Sequence, residues 1–409
     1  MRPSSPLRRL LLYAHDTYGL GHLRRNLAIA RHLLEATRGL QIVLVSGSPV
    51  ADRFEPPRGL TVVPLPPVVK VGPDEYEPRD PRLKLSLVRR ARAAIVADVA
   101  RRFEPDVFLV DHSPQGMKGE LLPVFEALRA SGSPTRIVLG LRDVLDDGAV
   151  VRRMWQDQGV YRTLEEVFDR VLVYGNQDLF DVVAEYALPS SVAARTTFCG
   201  YLGRPPVGPA TPGFLGPDER FVLGMAGGGG DGEPVLAATM AAAESAGVAS
   251  VLVAGPFMPK AGRASLEAQA RGFRRARVIP FVPELGGVMR SAAAVVTMAG
   301  YNALCELVSA GARAVVVPRT WPRREQTIRA ELFAARGLVR LVEPGPELVP
   351  RLAAALAQAL EGRAPAAACL DLDGMRRVRS ALVEEAGRAG REPPEPPVGA
   401  GDREEALLA

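Results

Sequence analysis

Two series of short apolar runs, each alternating with helical patterns, constrain this chain more than any other feature. In the first half the runs are Leu10–Ala14, Ile42–Ser46, Thr61–Val63, Val107–Val110, Arg136–Leu141 and Arg170–Tyr174. Helical patterns lie between them, including His22–Ala36 and Leu121–Ala130. The second series is Phe221–Met225, Ser250–Ala254, Ala276–Ile279, Ala294–Thr297, Ala314–Val317 and Val339–Leu341. Strands buried on both faces read as continuous apolar runs. Their alternation with helices implies βαβ units around a parallel sheet. Between the two series, Thr196–Gly213 is rich in Pro and Gly and reads as a linker. The expected architecture is therefore α/β, with two doubly wound domains facing a cleft. The first covers 1–195, the linker 196–213, the second 214–368, and a C-terminal helix 369–391. Residues 392–409 are Pro-rich and acidic, and are expected to be a disordered tail.

Composition narrows the function classes. The net charge of +5 is modest for 409 residues and suggests attraction to anions in general. Aromatics make up 6% and do not alternate with a basic stripe, so nucleic acid is not an expected partner. No apolar run reaches the roughly 18 to 20 residues of a membrane span. The basic start MRPSSPLRRL passes into Tyr13, His15 and Asp16, which reads as a first strand rather than a signal peptide. Three scattered cysteines argue for a reducing cytoplasm and against a disulfide framework. Four histidines with no Cys/His spacing leave no expected zinc site. Pro81–Arg102 interleaves arginines with apolar residues along a helix. It reads as a solvated face, with peripheral contact to an anionic membrane surface as the alternative.

Several catalytic patterns are missing, including GxxxxGK[ST] and GxSxG. The loop Gly19-Leu20-Gly21-His22-Leu23-Arg24 follows strand one. A dinucleotide fingerprint would place a small residue at Arg24 and an acid after the second strand, where Ser46-Gly47-Ser48-Pro49 stands. A nicotinamide cofactor is therefore disfavoured, and no cofactor is expected. Gly19 and Gly21 still allow close backbone approach, and His22 stands where a helix begins. The positive helix end favours the neutral imidazole there, a candidate general base; His15 is the rival. In the second half, Gly227, Gly228, Gly229 and Gly230 follow a strand and can present a nest of N–H groups to a phosphate. In Tyr301–Ala310 the apolar stripe is Ala303, Leu304, Leu307 and Val308, which leaves Asn302 and Glu306 on another face. A carboxylate there can accept two hydrogen bonds from a vicinal diol such as a ribose. Strand-end polar groups of the first half, Asp111, His112, Arg142 and Asp143, suit either substrate contact or caps and loop salt bridges. Asp371-Leu372-Asp373 precedes a helix and reads as a cap, not a metal site.

These motifs carry a resemblance. Met298-Ala299-Gly300-Tyr301-Asn302 through Glu306, then Glu325-Gln326, resembles the second domain of GT-B glycosyltransferases of family 28 type. That family includes the bacterial peptidoglycan N-acetylglucosaminyltransferase, and it has two Rossmann-like domains. The resemblance covers roughly residues 8 to 385. It is closer still to a group of predicted glycosyltransferases sharing HLRR and MAGYN. It implies a nucleotide-sugar donor on the second domain. Glu306 would hold the ribose, Phe281 and Val282 would lie over the base, and Ala299, Gly300, Tyr301 and Asn302 would surround the donor. Gln326 would sit near the sugar, with Glu325 departing from the family's glutamine pair. It also implies an acceptor on the first domain, and the loop of Gly19, Gly21 and His22 resembles the family's glycine-rich loop ending in His; there the resemblance fades, and Asp111, Arg142 and Arg324 are candidates for the acceptor or phosphate side from their positions alone. Helix ends and basic side chains would neutralise the leaving diphosphate without a metal. A sugar-nucleotide epimerase or hydrolase, and a non-catalytic nucleotide-sugar-binding protein, are the alternatives.

Overall fold

The computed structural model describes residues 6–15, 20–72, 75–208, 212–216, 219–282, 284–362 and 370–389. The first sheet has seven parallel strands in the order β3-β2-β1-β6-β7-β8-β9. They are β1 (Arg9–Ala14), β2 (Gln41–Ser46), β3 (Leu60–Pro64), β6 (Val107–Asp111), β7 (Arg136–Arg142), β8 (Arg170–Tyr174) and β9 (Thr196–Phe198). A small antiparallel hairpin, β4 (Val68–Lys70) and β5 (Tyr76–Pro78), stands apart. The second sheet is also parallel, in the order β12-β11-β10-β13-β14-β15. Its strands are β10 (Phe221–Met225), β11 (Ala249–Val253), β12 (Ala276–Ile279), β13 (Ala294–Thr297), β14 (Ala314–Val316) and β15 (Arg340–Leu341). In each sheet the order reverses beside the first strand, between β1 and β6 and between β10 and β13. Open α/β sheets bind ligands at such switch points, outside the carboxyl ends of the strands.

Alternate residues of the central strands enter different cores, as strands covered on both faces require. Leu10, Leu12 and Ala14 join one cluster, and Leu11 and Tyr13 another. The first of these continues through Tyr201 and Leu202 to Leu223 and Met225 of β10. The two sheets therefore share one buried apolar core, and the domain boundary is packed rather than hinged on bare solvent.

Three features differ from the sequence expectation. The region read as a linker begins with β9, which pairs with β8 and closes the first sheet; its three residues are too short to register as a strand pattern. The helix expected over Pro81–Arg102 spans Leu85–Phe103, and Arg92 on it is fully buried rather than solvated. Its guanidinium makes bonds of 2.6 and 2.8 Å to buried Glu120, which also accepts from Tyr13. The C-terminal helix, Gly374–Ala389, returns to the first domain, where buried Glu385 takes Arg136 at 3.1 Å. At its start the Asp373 carbonyl accepts from the Arg377 N–H, and the Asp373 carboxylate pairs with the Arg376 guanidinium. The expected tail, 392–409, and Gly19 lie outside the described residues.

Candidate active site

The carboxyl ends of both sheets open on one cleft with a volume of about 1190 Å³. On the first-domain side the chemistry gathers where β1 and β6 lie side by side. The helix Gly21–Ala36 starts after β1 and carries His22 in its first turn. β6 ends in Asp111, which is 1% exposed. The two meet, with His22 Nδ1 2.6 Å from Asp111 Oδ2. One helical turn on, Arg25 grips the same carboxylate with two bonds, from Nε at 2.8 Å and Nη2 at 2.6 Å. Burial alone would raise the Asp111 pKa, but the Arg25 charge and the His22 hydrogen bond outweigh it and hold the carboxyl well below its usual range. Asp111 is therefore an ionised acceptor. It favours the His22 tautomer with the proton on Nδ1, which leaves Nε2 as the free base.

Two more imidazoles crowd this one. His15, at the end of β1, has its ring centroid 4.5 Å from that of His22, and His112 lies 5.2 Å away. Burial holds both well below the ordinary histidine value, assisted by His22 at His15 and by Arg142 at His112. His112 adopts φ 69°, a left-handed conformation that a non-glycine residue rarely takes. Its Nε2 lies 3.0 Å from Arg142 Nη2.

On the second-domain side the turn after β10 is built for backbone contact. Gly227 and Gly229 have φ 56° and 87°. A Cβ on Gly229 would collide with the Ala254 carbonyl, whereas one on Gly227 would meet open space. Gly227, Gly228 and Gly229 all line the cleft, as do Gly300, Tyr301 and Asn302 at the start of the helix Tyr301–Ala310. The space around Gly300 is open as well. Two helix N-termini, at Glu233 and Tyr301, thus end at the cleft.

A chain of charges crosses from one side to the other. Arg142, closing β7, donates to Glu325 Oε2 at 3.1 Å; Arg319 donates to Glu325 Oε1 at 3.1 Å and approaches Asp231 at 3.5 Å. Burial would raise the Glu325 pKa, but Arg142, Arg329, Arg319 and Arg323 bring it down to about 2. Gln326 accepts from the Arg319 backbone N–H at 3.1 Å. Arg319, like Arg25, is a basic group that the sequence pattern does not single out, because nothing local separates it from surface arginines. Among the described residues no cluster of His, Cys, Asp and Glu is arranged to hold a metal ion.

Other expected residues lie elsewhere. Glu306 does not line the cleft but is buried at the domain boundary, where Arg24 reaches it at 3.0 Å and Arg204 also pairs with it. Helical spacing correctly put Glu306 with Asn302, which donates to the Gly21 carbonyl at 2.9 Å. That shared face meets the Gly21–Ala36 helix, and in this arrangement the carboxylate is taken up by Arg24 and Arg204. Phe281 and Val282 do not line the cleft either; the Phe281 ring stands edge-on to Phe54, 5.8 Å away. Ala299 is fully buried and offers its carbonyl to Arg329 at 3.2 Å. Arg324 bridges the domains: its N–H donates to Asp146 at 2.9 Å and its guanidinium lies 3.7 Å from Asp147. Asp111 reaches the cleft through His22 and Arg25, while Gly21 and Arg142 line it directly.

Comparison with known proteins agrees with this geometry. Residues 258–368 match the glycosyltransferase family 28 C-terminal domain. No curated protein sequence matches the chain. Among solved structures, the glycotransferase of kitacinnamycin superposes with a TM-score of 0.59 at 20% identity, covering 94% of this chain and 97% of that one. MurG of Acinetobacter baumannii gives 0.55 at 16%, covering 92% and 99%. A UDP-N-acetylglucosamine 2-epimerase assigned in Listeria monocytogenes gives 0.61 at 14%, covering 95% and 98%. At such identities these likenesses establish the fold. The chain has the GT-B architecture of two Rossmann-like domains, and the match to the family 28 C-terminal domain lies within the second.

Proposed function

We propose that this chain is a glycosyltransferase. It would move a sugar from a nucleotide-diphosphate donor, read as a UDP-linked hexose or N-acetylhexosamine, to an acceptor hydroxyl with inversion. One observation carries the reading: an imidazole backed by a buried, ionised carboxylate faces glycine turns and helix N-termini across a single cleft. His22 Nε2 takes the acceptor proton as the oxygen attacks the anomeric carbon. The new glycosidic bond forms as the bond to the phosphate oxygen breaks, and the electron pair leaves with the nucleoside diphosphate. Asp111 stabilises the imidazolium that results. The amides of Gly227–Gly230, the two helix ends and the guanidinium of Arg319 meet the developing charge on the diphosphate. A single displacement with the base on the face opposite the leaving group inverts the carbon. These groups supply the positive charge that a divalent ion would otherwise bring, so a chelator is expected to leave the rate unchanged.

The nucleotide contact in this reading rests on the glycine turns and Arg319 rather than on Glu306. The epimerase or hydrolase alternative calls for further acids near the anomeric carbon. Among the described residues the acids lining the cleft are Asp231 and Glu325, both paired with Arg319. No helix of the described residues is long and apolar enough to cross a membrane. Exposed Leu83 and Leu87, near the start of the basic helix, suit peripheral membrane contact.

A panel of nucleotide sugars, each with and without acceptors, tests the proposal. UDP is expected to raise the melting temperature, and product is expected only when an acceptor is present. Turnover of donor without acceptor, at a rate that acceptors do not raise, would favour the epimerase or hydrolase.

A further inference from the structure

The chain has two tryptophans, and the fold treats them oppositely. Trp155 packs against Tyr161 and Tyr186 and is 3% exposed. Trp321 is 69% exposed, the most exposed large apolar side chain among the described residues. Both line the cleft.

Trp321 is not on a loose loop. Before it, the Arg319 N–H donates to Gln326 and the Arg319 guanidinium is held by Glu325 and Asp231. After it, the Arg324 N–H donates to Asp146 of the first domain at 2.9 Å. An anchored loop that leaves an indole in water forgoes the stabilisation that burying it would bring. Large amphipathic aromatics held this way belong to binding surfaces. The Asp146 tie brings the loop against the first-domain segment that supplies Leu145, Met154 and Trp155 to the cleft, with Leu122 and Val160 beside them. That segment adds apolar surface to the cleft, beside Gln115 and Gln158, which also line it.

We infer that Trp321 is a specificity-determining residue for the acceptor. Its indole stacks on the flat apolar body of an aromatic or fused-ring alcohol, which lies between it and the wall of Leu145, Met154 and Trp155. The inference rests on the transfer reading for the chemistry, but not for the binding. The occupant is an aromatic or fused-ring alcohol because an indole face stacks on a flat ring and Leu145, Met154 and Trp155 add apolar surface, while Gln115 and Gln158 can meet its polar substituents.

The test separates binding from transfer. Protein labelled with 5-fluorotryptophan has two fluorine resonances, assigned with Trp321→Phe. It is titrated separately with 2-naphthol, chitobiose and UDP. The expected result is that 2-naphthol shifts the Trp321 resonance in a saturable way, and that chitobiose leaves it in place. A shift with chitobiose and none with 2-naphthol overturns the acceptor class. A shift with UDP alone assigns the loop to the donor and overturns the inference, as does no shift with any probe. With a working donor, Trp321→Ala is expected to raise the acceptor KM at least tenfold and the donor KM less than twofold, with Trp321→Phe recovering most of the loss. Equal changes in both KM values would overturn the assignment. If no nucleotide sugar supports transfer while 2-naphthol still shifts Trp321, the transfer reading fails and the binding inference stands.

Discussion

The two walls of the cleft are made from different materials. The first-domain wall is a network of side chains: His22, Asp111 and Arg25 lock together, and His112 and Arg142 stand beside them. The second-domain wall is mainly backbone, with glycine turns and helix ends, and one arginine chain laid over it. Side-chain networks fix a tautomer and a charge state, which proton transfer needs. Backbone donors fix a shape for an anion and tolerate different bases and sugars behind it. The difference divides the expected labour, with chemistry on the first wall and donor grip on the second.

The sharpest way to break that division is at the dyad. His22→Ala is expected to lower kcat by about 10³, within the range for loss of a general base. Asp111→Asn keeps the shape but removes the charge that sets the tautomer, and a fall of at least about 10² follows by the same logic. Both variants are expected to bind UDP as the parent does, measured by calorimetry. If either lost UDP binding along with rate, the walls would not be separable.

The second wall is tested by a pair of glycines. Gly229→Ala drives a methyl into the Ala254 carbonyl and forces the turn to move. UDP affinity is expected to fall at least about tenfold, since its donors are aimed by that turn. Gly227→Ala meets open space, and its left-handed φ costs about 1 kcal/mol. It is expected to lower the melting temperature slightly and UDP affinity only a few-fold. Equal losses in the two variants would mean that the turn does not hold phosphate.

The same division decides what the sequence made legible. Backbone features were readable: apolar runs marked the β10 and β13 strands, and glycines flagged the turns. His22 was readable because a glycine-spaced loop and a helix start bracket it. Arg25, Arg319 and the charge chain through Glu325 were not, because they depend on which strand ends the topology brings together. His112 acquires its orientation from a left-handed φ that no residue pattern announces. Glu306 shows the limit most clearly. Its helical face was read correctly, but whether that face meets ligand or another helix is a fact about domain packing. Glu306→Ala is therefore expected to leave UDP affinity within about twofold and to destabilise the fold by about 3 kcal/mol, because two arginines lose a buried partner. A tenfold loss of UDP affinity without loss of stability would return Glu306 to the donor site.

Glu325 joins the two walls, and its effect on rate is expected to be the smallest, within about threefold for Glu325→Gln. Its contribution is to stability, and the sign follows from its depressed pKa. The ordinary value of 4.5 falls to about 2 in the folded chain. The group therefore contributes stability that is fully present above pH 4.5 and is lost as pH falls toward 2. A shift of that size is worth on the order of 3 kcal/mol. Asp111 is also held well below its usual range, by Arg25 and His22, and is common to the parent and the variant. Glu325→Gln removes the titrating carboxyl but keeps an oxygen for the arginines. Urea unfolding measured between pH 5 and pH 2.5 is expected to show a shallower acid loss in Glu325→Gln than in the parent. Parallel acid limbs would mean that the pair of Arg142 and Glu325 does not hold the walls together.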